Sequence, residues 1–113
     1  MVLGNLSGRG TGMRLVVDER CAWAGSQKYG VLTWSGDIHS SFRAMREQLQ
    51  AGLNMCVAGI PWWTSDIGGF VGGDIKDPYF KELLVRWFAW GCFCPVFRMH
   101  GERSPWYERG RVY

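Results

Sequence analysis

The chain has 113 residues and a formal net charge of +3, and its thirteen lysine and arginine residues are spread along the sequence. This charge distribution gives no indication of a nucleic-acid-binding surface. No stretch reaches the roughly 20 apolar residues of a membrane-spanning helix, so we expect neither nucleic acid nor membrane as a partner. Seven tryptophans and sixteen glycines are unusually many. Sugar sites use both residue types, because pyranose rings stack on aromatic rings, although tryptophan also fills core space.

The four cysteines do not form a recognisable metal site, because Cys92 and Cys94 have no second pair of ligands at a suitable spacing. We therefore predict reduced, mostly buried thiols. Residues 1–12 are rich in glycine and lack the apolar core of a signal peptide. We expect them to form a flexible leader of a cytoplasmic protein. Residues 105–113 are predicted to form a polar tail without a clear pattern.

The first predicted elements are two short strands and a helix. Met13–Val17 is a short apolar run, and Gly30–Trp34 is β-branched and aromatic, so we predict a strand at each. Ser40 or Ser41 can cap the helix that follows. Apolar residues at helical spacing predict one apolar face of this helix: Phe42, Met45, Leu49 and Leu53.

A second series of elements follows. Met55–Ile60 is a short apolar run that Pro61 closes, and we predict a strand there. After a loop rich in glycine and aspartate, Asp77 is a suitable N-cap and Pro78 suits the first position of a second helix. Phe93–Phe97 is predicted to be the next strand.

Short strands that alternate with amphipathic helices indicate βαβ units and a parallel sheet. Polar residues follow the predicted strands, and in a (β/α)8 barrel the active site lies at the carboxyl ends of the strands. We therefore predict an α/β fold, a partial TIM (β/α)8 barrel with about three βα units. A whole barrel takes about 250 residues, so this chain would supply fewer than half of the strands.

Four motifs resemble those of glycoside hydrolase family 31, and they occur in the family's order. They are RCAWAGS at 20–26, WSGD at 34–37, AGLN at 51–54 with GIPWWTSDIGGF at 59–70, and FRMH at 97–100. By this resemblance, residues 13–104 are a segment from the second half of the family's catalytic barrel. The resemblance implies a retaining enzyme that hydrolyses terminal α-linked glucosyl or xylosyl residues of an oligosaccharide or α-glycoside. It implies no cofactor and no metal, and it leaves an oligomeric parent enzyme open.

The resemblance also implies roles for single residues. Asp37 matches the general acid/base, which protonates the leaving oxygen and later deprotonates water. From the pattern alone, Asp37 is instead an aspartate that stabilises the start of the following helix. Substrate-binding roles are implied for six residues: Arg20, Trp34, Trp63, Asp66, Phe70 and His100. Without the resemblance, these residues are a surface arginine, a turn-forming aspartate, a structural histidine and core aromatic rings.

The second carboxyl group of a retaining glycosidase is missing from the motifs of this sequence. In the family the nucleophile belongs to an upstream Asp-x-Asn-Glu-like motif, which does not occur here, and the Asp18-Glu19 pair lacks that pattern. Because retaining enzymes need both carboxyl groups, we expect the chain alone to be inactive. Because the earlier strands are absent and the barrel cannot close, its sheet keeps exposed edges, and we expect the chain alone to be marginally folded. The alternatives are a carbohydrate-binding segment that no longer cleaves and a non-functional truncated product.

Overall fold

The structure, a computed structural model, describes residues 17–19, 21–102, 107–108 and 111–112. Its main sheet has three parallel strands in chain order, which are β1 (Val17–Glu19), β2 (Val31–Trp34) and β3 (Trp63–Thr64). A 3-10 helix (Ser26–Tyr29) connects β1 to β2. The parallel sheet and the strand at Gly30–Trp34 agree with the sequence prediction.

Two α-helices complete the βα units. Helix α1 (Phe42–Val57) follows β2, and helix α2 (Pro78–Gly91) follows β3. A separate antiparallel pair consists of β4 (Tyr107–Glu108) and β5 (Arg111–Val112), within the segment that we predicted to be a tail without a pattern.

Both helices begin at the side-chain caps that the sequence predicts. The Ser41 hydroxyl accepts a hydrogen bond from the backbone N–H of Ala44 at 3.0 Å. The Asp77 carboxylate accepts one from the N–H of Tyr79 at 2.9 Å. Each cap satisfies a donor that the helix itself leaves without a partner, so these local signals fix where α1 and α2 start.

The core lies between α2 and the segment that follows β3. Ile67, Phe80, Leu83 and Trp87 are each at most 2% exposed. The buried indole of Trp87 donates a hydrogen bond to the Ser65 hydroxyl at 2.9 Å. Because a buried N–H without a partner is costly, this bond allows a large ring to fill the core directly beneath the loop that carries Asp66.

Two predicted strands are wrong. Met55–Ile60 is not a strand, because α1 continues to Val57 and β3 begins only after Pro61. Phe93–Phe97 is not a strand either, and Pro95 has no N–H to contribute to a ladder. The chain nevertheless runs beside β3 and its following loop there. The Thr64 hydroxyl donates to the Val96 carbonyl at 2.7 Å, and the Ile67 N–H donates to the Arg98 carbonyl at 3.0 Å.

The predicted apolar face of α1 packs only in part, because Met45 lies against the core while the other three predicted residues are exposed. Phe42, Leu49 and Leu53 are exposed, whereas Ala44 and Gly52 are the buried positions. Small residues are buried because bulky neighbours approach the helix closely at those points. The predicted burial of the thiols is also wrong, since all four cysteines are free but three are exposed: Cys21, Cys56 and Cys92.

Some predictions lie outside the described residues. The leader at 1–12, the side chain of Arg20 and most of the predicted strand at Met13–Val17 belong to this group; Val17 itself begins β1. Within the described ranges, neither helix has the length and apolar character that would let it cross a membrane.

Candidate active site

The loops after β2 and β3 lie side by side at the carboxyl ends of the strands. The N–H of Phe70 donates to the Ile38 carbonyl at 2.8 Å, and the N–H of Ser40 donates to the Val71 carbonyl at 3.0 Å. These bonds hold the loop that carries Asp37 against the loop that carries Asp66. The parallel sheet thereby brings together residues that are far apart in the sequence.

The close approach of the two loops depends on glycine at position 69. Gly69 has a φ of +79°, and a Cβ atom there would lie 2.8 Å from the Cα atom of Ser40. Side chains rarely adopt this φ, and the contact is shorter than backbone atoms tolerate. Only glycine therefore allows the backbone after Asp66 to touch the backbone after Asp37.

A buried ion pair lies at the centre of the site. The Arg98 Nε atom is 2.7 Å from the Oδ1 atom of Asp66, whose side chain is fully buried, while the Arg98 side chain is 23% exposed. The Arg98 guanidinium carbon also lies 4.9 Å from the centre of the Trp34 ring, within the range of a cation–π contact. Arg98 thus connects the end of β2 to the loop after β3.

Sequence reasoning assigned no separate role to Arg98, although the FRMH motif contains it. The sequence did indicate that Asp66 needs a cationic partner. An aspartate between two tryptophans and two glycines is expected to be buried, and a buried carboxylate needs a cation. Arg98 follows the next predicted strand, so the predicted parallel order places a cation at the same edge of the sheet as Asp66.

The surroundings of Asp66 shift its acidity. Burial raises the pKa of the Asp66 carboxyl above its ordinary value. The charges of Arg98 and His100 and the hydrogen bond from Arg98 act against this increase, and the negative charge of Asp37 adds to it. The charge of Asp37 therefore acts on the Asp66 carboxyl, so the two side chains lie close enough to belong to one site.

Phe70 and His100 form a pair of aromatic side chains at the same site. Their ring centres are 5.0 Å apart, with the ring planes tilted by 51°. The N–H of Glu102 donates to the Phe70 carbonyl at 3.0 Å, so the segment that carries His100 is held along the loop that carries Phe70. His100 is exposed and Phe70 half-buried, so both rings border the surface.

The structure does not bring Trp63 together with these residues. Trp63 pairs with Thr33, and Thr64 pairs with Trp34, so Trp63 and Trp34 point to opposite faces of the sheet. The Trp63 ring packs against Gly52 of α1. It lines an apolar groove of about 290 Å³ on the helix side. This placement supports the alternative interpretation that Trp63 is a packing residue.

The remaining candidates form one polar cluster at the carboxyl ends of the strands: Trp34, Asp37, Asp66, Phe70 and His100, with Arg98 added by the structure. Asp37 is exposed and sits on a loop, where it can exchange a proton with a bound molecule. In the part of the chain that the structure describes, no group of three or more His, Cys, Asp or Glu side chains is arranged to hold a metal ion.

A parallel sheet whose strand ends carry an exposed carboxylate, a buried ion pair and aromatic rings is typical of the active-site face of a TIM barrel. Residues 2–111 match the sequence profile of the glycosyl hydrolases family 31 TIM-barrel domain. The chain therefore belongs to glycoside hydrolase family 31, and its fold is a segment of a TIM barrel. The resemblance inferred from the four motifs is confirmed.

Individual relatives agree with this assignment. The chain is 72% identical over 86 residues to the uncharacterized family 31 glucosidase ORF2 of Pseudescherichia vulneris, which covers 76% of the chain and 16% of that protein. It is 43% identical over 96 residues to an alpha-xylosidase of Saccharolobus solfataricus, covering 82% of the chain and 13% of the relative. The chain thus spans about a sixth or less of the length of these relatives.

A solved structure is similar over most of the chain. The crystal structure of a family 31 alpha-xylosidase from a soil metagenome, complexed with xylose, is 67% identical and superposes with a TM-score of 0.78. The match covers 88% of this chain and 15% of that enzyme.

Proposed function

We propose that this chain is the acid/base segment of a retaining α-glycosidase that removes terminal α-linked xylosyl or glucosyl residues. The observation that carries the proposal is the position of Asp37, an exposed carboxylate beside the buried Asp66–Arg98 pair at the carboxyl ends of parallel strands. One carboxyl group of a retaining pair is thereby assigned to a residue of this chain.

In this proposal Asp37 donates a proton to the glycosidic oxygen while the bond to the anomeric carbon breaks. The same carboxylate then removes a proton from the water that releases the sugar from the nucleophile. The nucleophile belongs to a part of the barrel outside this chain. The segment corresponds to about three βα units from the second half of the barrel, beginning at β1.

Substrate binding is assigned to the polar cluster at the carboxyl ends of the strands, which is called the cluster around Asp66 from here on. Within the described ranges, the Oδ2 atom of Asp66 is buried without a hydrogen-bond partner, and such an atom is costly unless a ligand satisfies it. A sugar hydroxyl would donate to it. His100 would bind a second hydroxyl, and the Phe70 and Trp34 rings would contact the apolar face of the sugar. Arg20 stays a predicted contributor.

We propose an α-xyloside as the preferred substrate, with the α-glucoside second. The support is the identity to two enzymes named alpha-xylosidases, which is 67% for the soil enzyme and 43% for the Saccharolobus solfataricus enzyme. The relative that is 72% identical is named a glucosidase and is uncharacterized, so the glucoside is kept as the second substrate. The two substrates differ by the hydroxymethyl group on the ring of glucose. A pocket that excludes that group raises the ratio of kcat/KM for xyloside to glucoside.

The test is a chimera in which this chain replaces the matching segment of the soil alpha-xylosidase, so that the barrel and the nucleophile are complete. We expect the chimera to release the aryl alcohol from an aryl α-xyloside faster than from the α-glucoside. Asp37→Ala should lower kcat/KM by about 100-fold or more, and azide should partly restore turnover by taking the place of activated water. Asp74→Asn, in an exposed loop, is the matched control. A folded chimera that Asp37→Ala leaves fully active would contradict the proposal.

A second candidate is a segment that binds sugar without cleaving it, and the buried Oδ2 atom of Asp66 favours binding in either case, because a sugar hydroxyl can donate to it whether or not the glycosidic bond breaks. The isolated chain titrated with xylose distinguishes the two. Saturable binding together with an inactive chimera supports the second candidate, whereas an active chimera supports the first. A cytoplasmic location stays a prediction.

A further inference from the structure

A second pocket borders Asp37 and is not used by the proposed sugar site. Its volume is about 430 Å³, within the range of small-molecule sites. It shares Asp37 with the cluster around Asp66 and no other residue of that cluster. Its walls come from the loop after β2 and the first two turns of α1: Asp37, Ile38, His39, Ser41, Arg43, Ala44, Glu47 and Gln48.

The chemistry of Asp37 decides what this pocket holds. A general acid protonates the oxygen between the sugar that is cleaved and its leaving group, so both parts of the substrate meet at Asp37. The cleaved sugar contacts the cluster around Asp66. We propose that the second pocket holds the leaving group, and that Arg43, Glu47 and Gln48 of α1 select a leaving group that is itself a sugar. The inference rests on the proposed function and deepens it.

The side chains of the pocket suit a hydroxyl-rich leaving group. Arg43 offers five N–H donors, and Glu47 and Gln48 offer carbonyl-type acceptors. The Arg43 Nε atom donates to the Glu47 Oε1 atom at 2.9 Å, which orients both groups and leaves further donors and acceptors for a ligand. An aryl leaving group has few groups to bind them, whereas every ring hydroxyl of a sugar both donates and accepts.

The position of these residues makes the inference testable without loss of the fold. The side chains of Arg43 and Glu47 are 88% and 53% exposed, and exposed ion pairs contribute little to stability. A second pair with the same spacing, Arg86 and Glu82 on α2, has a distance of 2.7 Å and exposures of 66% and 54%. This second pair borders neither pocket, so it is a matched control.

The experiment compares two substrates with the same cleaved sugar in the chimera described above. One is an α-linked disaccharide and the other an aryl α-glycoside. In Arg43→Ala/Glu47→Ala we expect the ratio of kcat/KM for disaccharide to aryl glycoside to fall about tenfold, since hydrogen bonds to the leaving sugar are lost. In Arg86→Ala/Glu82→Ala the ratio should not change.

The outcomes separate the two proposals. An active chimera whose ratio is unchanged in the first double variant overturns the leaving-group pocket alone. A folded chimera that cleaves neither substrate contradicts the proposed function instead. If the chimera does not fold, a measurement on the 113-residue chain itself tests the inference instead. Glucose added to isotope-labelled chain whose amide resonances are dispersed as in a folded protein should shift the resonances of Ser41, Arg43 and Glu47, and an absence of such shifts in the folded chain also overturns the inference.

Discussion

The Nε atom of Arg98 lies 2.7 Å from the Oδ1 atom of Asp66, and the Asp66 side chain is fully buried. The same guanidinium group lies against the face of the Trp34 ring. One arginine therefore compensates the buried charge after β3 and contacts the last residue of β2. The two strand ends are coupled through it, so a change at position 98 should affect both stability and the geometry of the sugar site.

Arg98→Met tests this coupling in the chimera. Methionine keeps much of the volume but leaves Asp66 without its cation, and breaking a buried pair in this way costs about 3 kcal/mol or more. Urea denaturation should show that loss in the free energy of unfolding. Arg86→Met, which breaks the exposed pair with Glu82, should cost about 1 kcal/mol or less. Equal losses in the two variants would show that Arg98 is no more than a surface residue.

The acidity of Asp66 predicts a pH dependence of stability. Burial raises the pKa of Asp66, and this increase outweighs the opposing effect of Arg98. The folded state thus holds the proton more tightly than the unfolded chain. The stabilisation is fully present below the ordinary carboxyl pKa of about 3.9 and is lost as the pH rises through the folded pKa.

We therefore expect the unfolding free energy of the chimera, relative to its Asp66→Asn variant, to decrease as the pH is raised from that ordinary value. Unfolding curves at several pH values measure this difference. In the Arg98→Met background the decrease should extend to higher pH, because the attraction that lowers the pKa is gone. A difference that grows with pH would mean that the ion pair, and not burial, dominates.

The sequence predicted the features that short local patterns control. The caps at Ser41 and Asp77 and the strand that ends at Trp34 need only neighbouring residues, and all three are present. The run Met55–Ile60 was misread because a short apolar run fits the end of a buried helix as well as a strand. Only the tertiary contacts of α1 decide between them.

The site was predictable only in part, for a related reason. The motifs placed Asp37, Asp66 and His100 after three successive predicted strands. The parallel sheet brings Asp37 and Asp66 together, whereas the segment that carries His100 is not a strand and is held against the loop after β3 by hydrogen bonds. The partner of Asp66 and the direction of Trp63 depend on pairing register, which one sequence does not specify. A shift of one residue in β3 would turn Trp63 towards the sugar site.

Gly52 shows how closely Trp63 packs on α1. A Cβ atom at position 52 would overlap with the Trp63 indole nitrogen. Glycine to alanine in a helix ordinarily stabilises by about 0.5–1 kcal/mol, but here we expect Gly52→Ala to destabilise the chimera by about 1–3 kcal/mol, because the ring has to move. Thermal and urea unfolding measure the sign. In a Trp63→Leu background the same substitution should cost less, and an identical cost would rule out contact with the indole as the cause.

Gly69 and Gly72 separate backbone conformation from close contact. Both have a φ of +79°, but a Cβ atom at 72 meets nothing within 4 Å, whereas one at 69 would lie 2.8 Å from the Cα and N atoms of Ser40. Gly72→Ala should therefore cost about 1–2 kcal/mol for conformation alone. Gly69→Ala should cost more, because the loop that carries Asp37 must also move.

The activity of the two variants decides whether this contact positions the acid. We expect Gly69→Ala to lower kcat of the chimera by about tenfold or more, since a displacement of roughly 1 Å in a catalytic group is costly. Gly72→Ala serves as the control for strain without displacement and should lower stability with a smaller change in kcat. If the two variants lose stability and kcat equally, the contact between Gly69 and Ser40 does not hold Asp37 in place. If only Gly69→Ala loses kcat, the approach of the two loops sets the position of the acid.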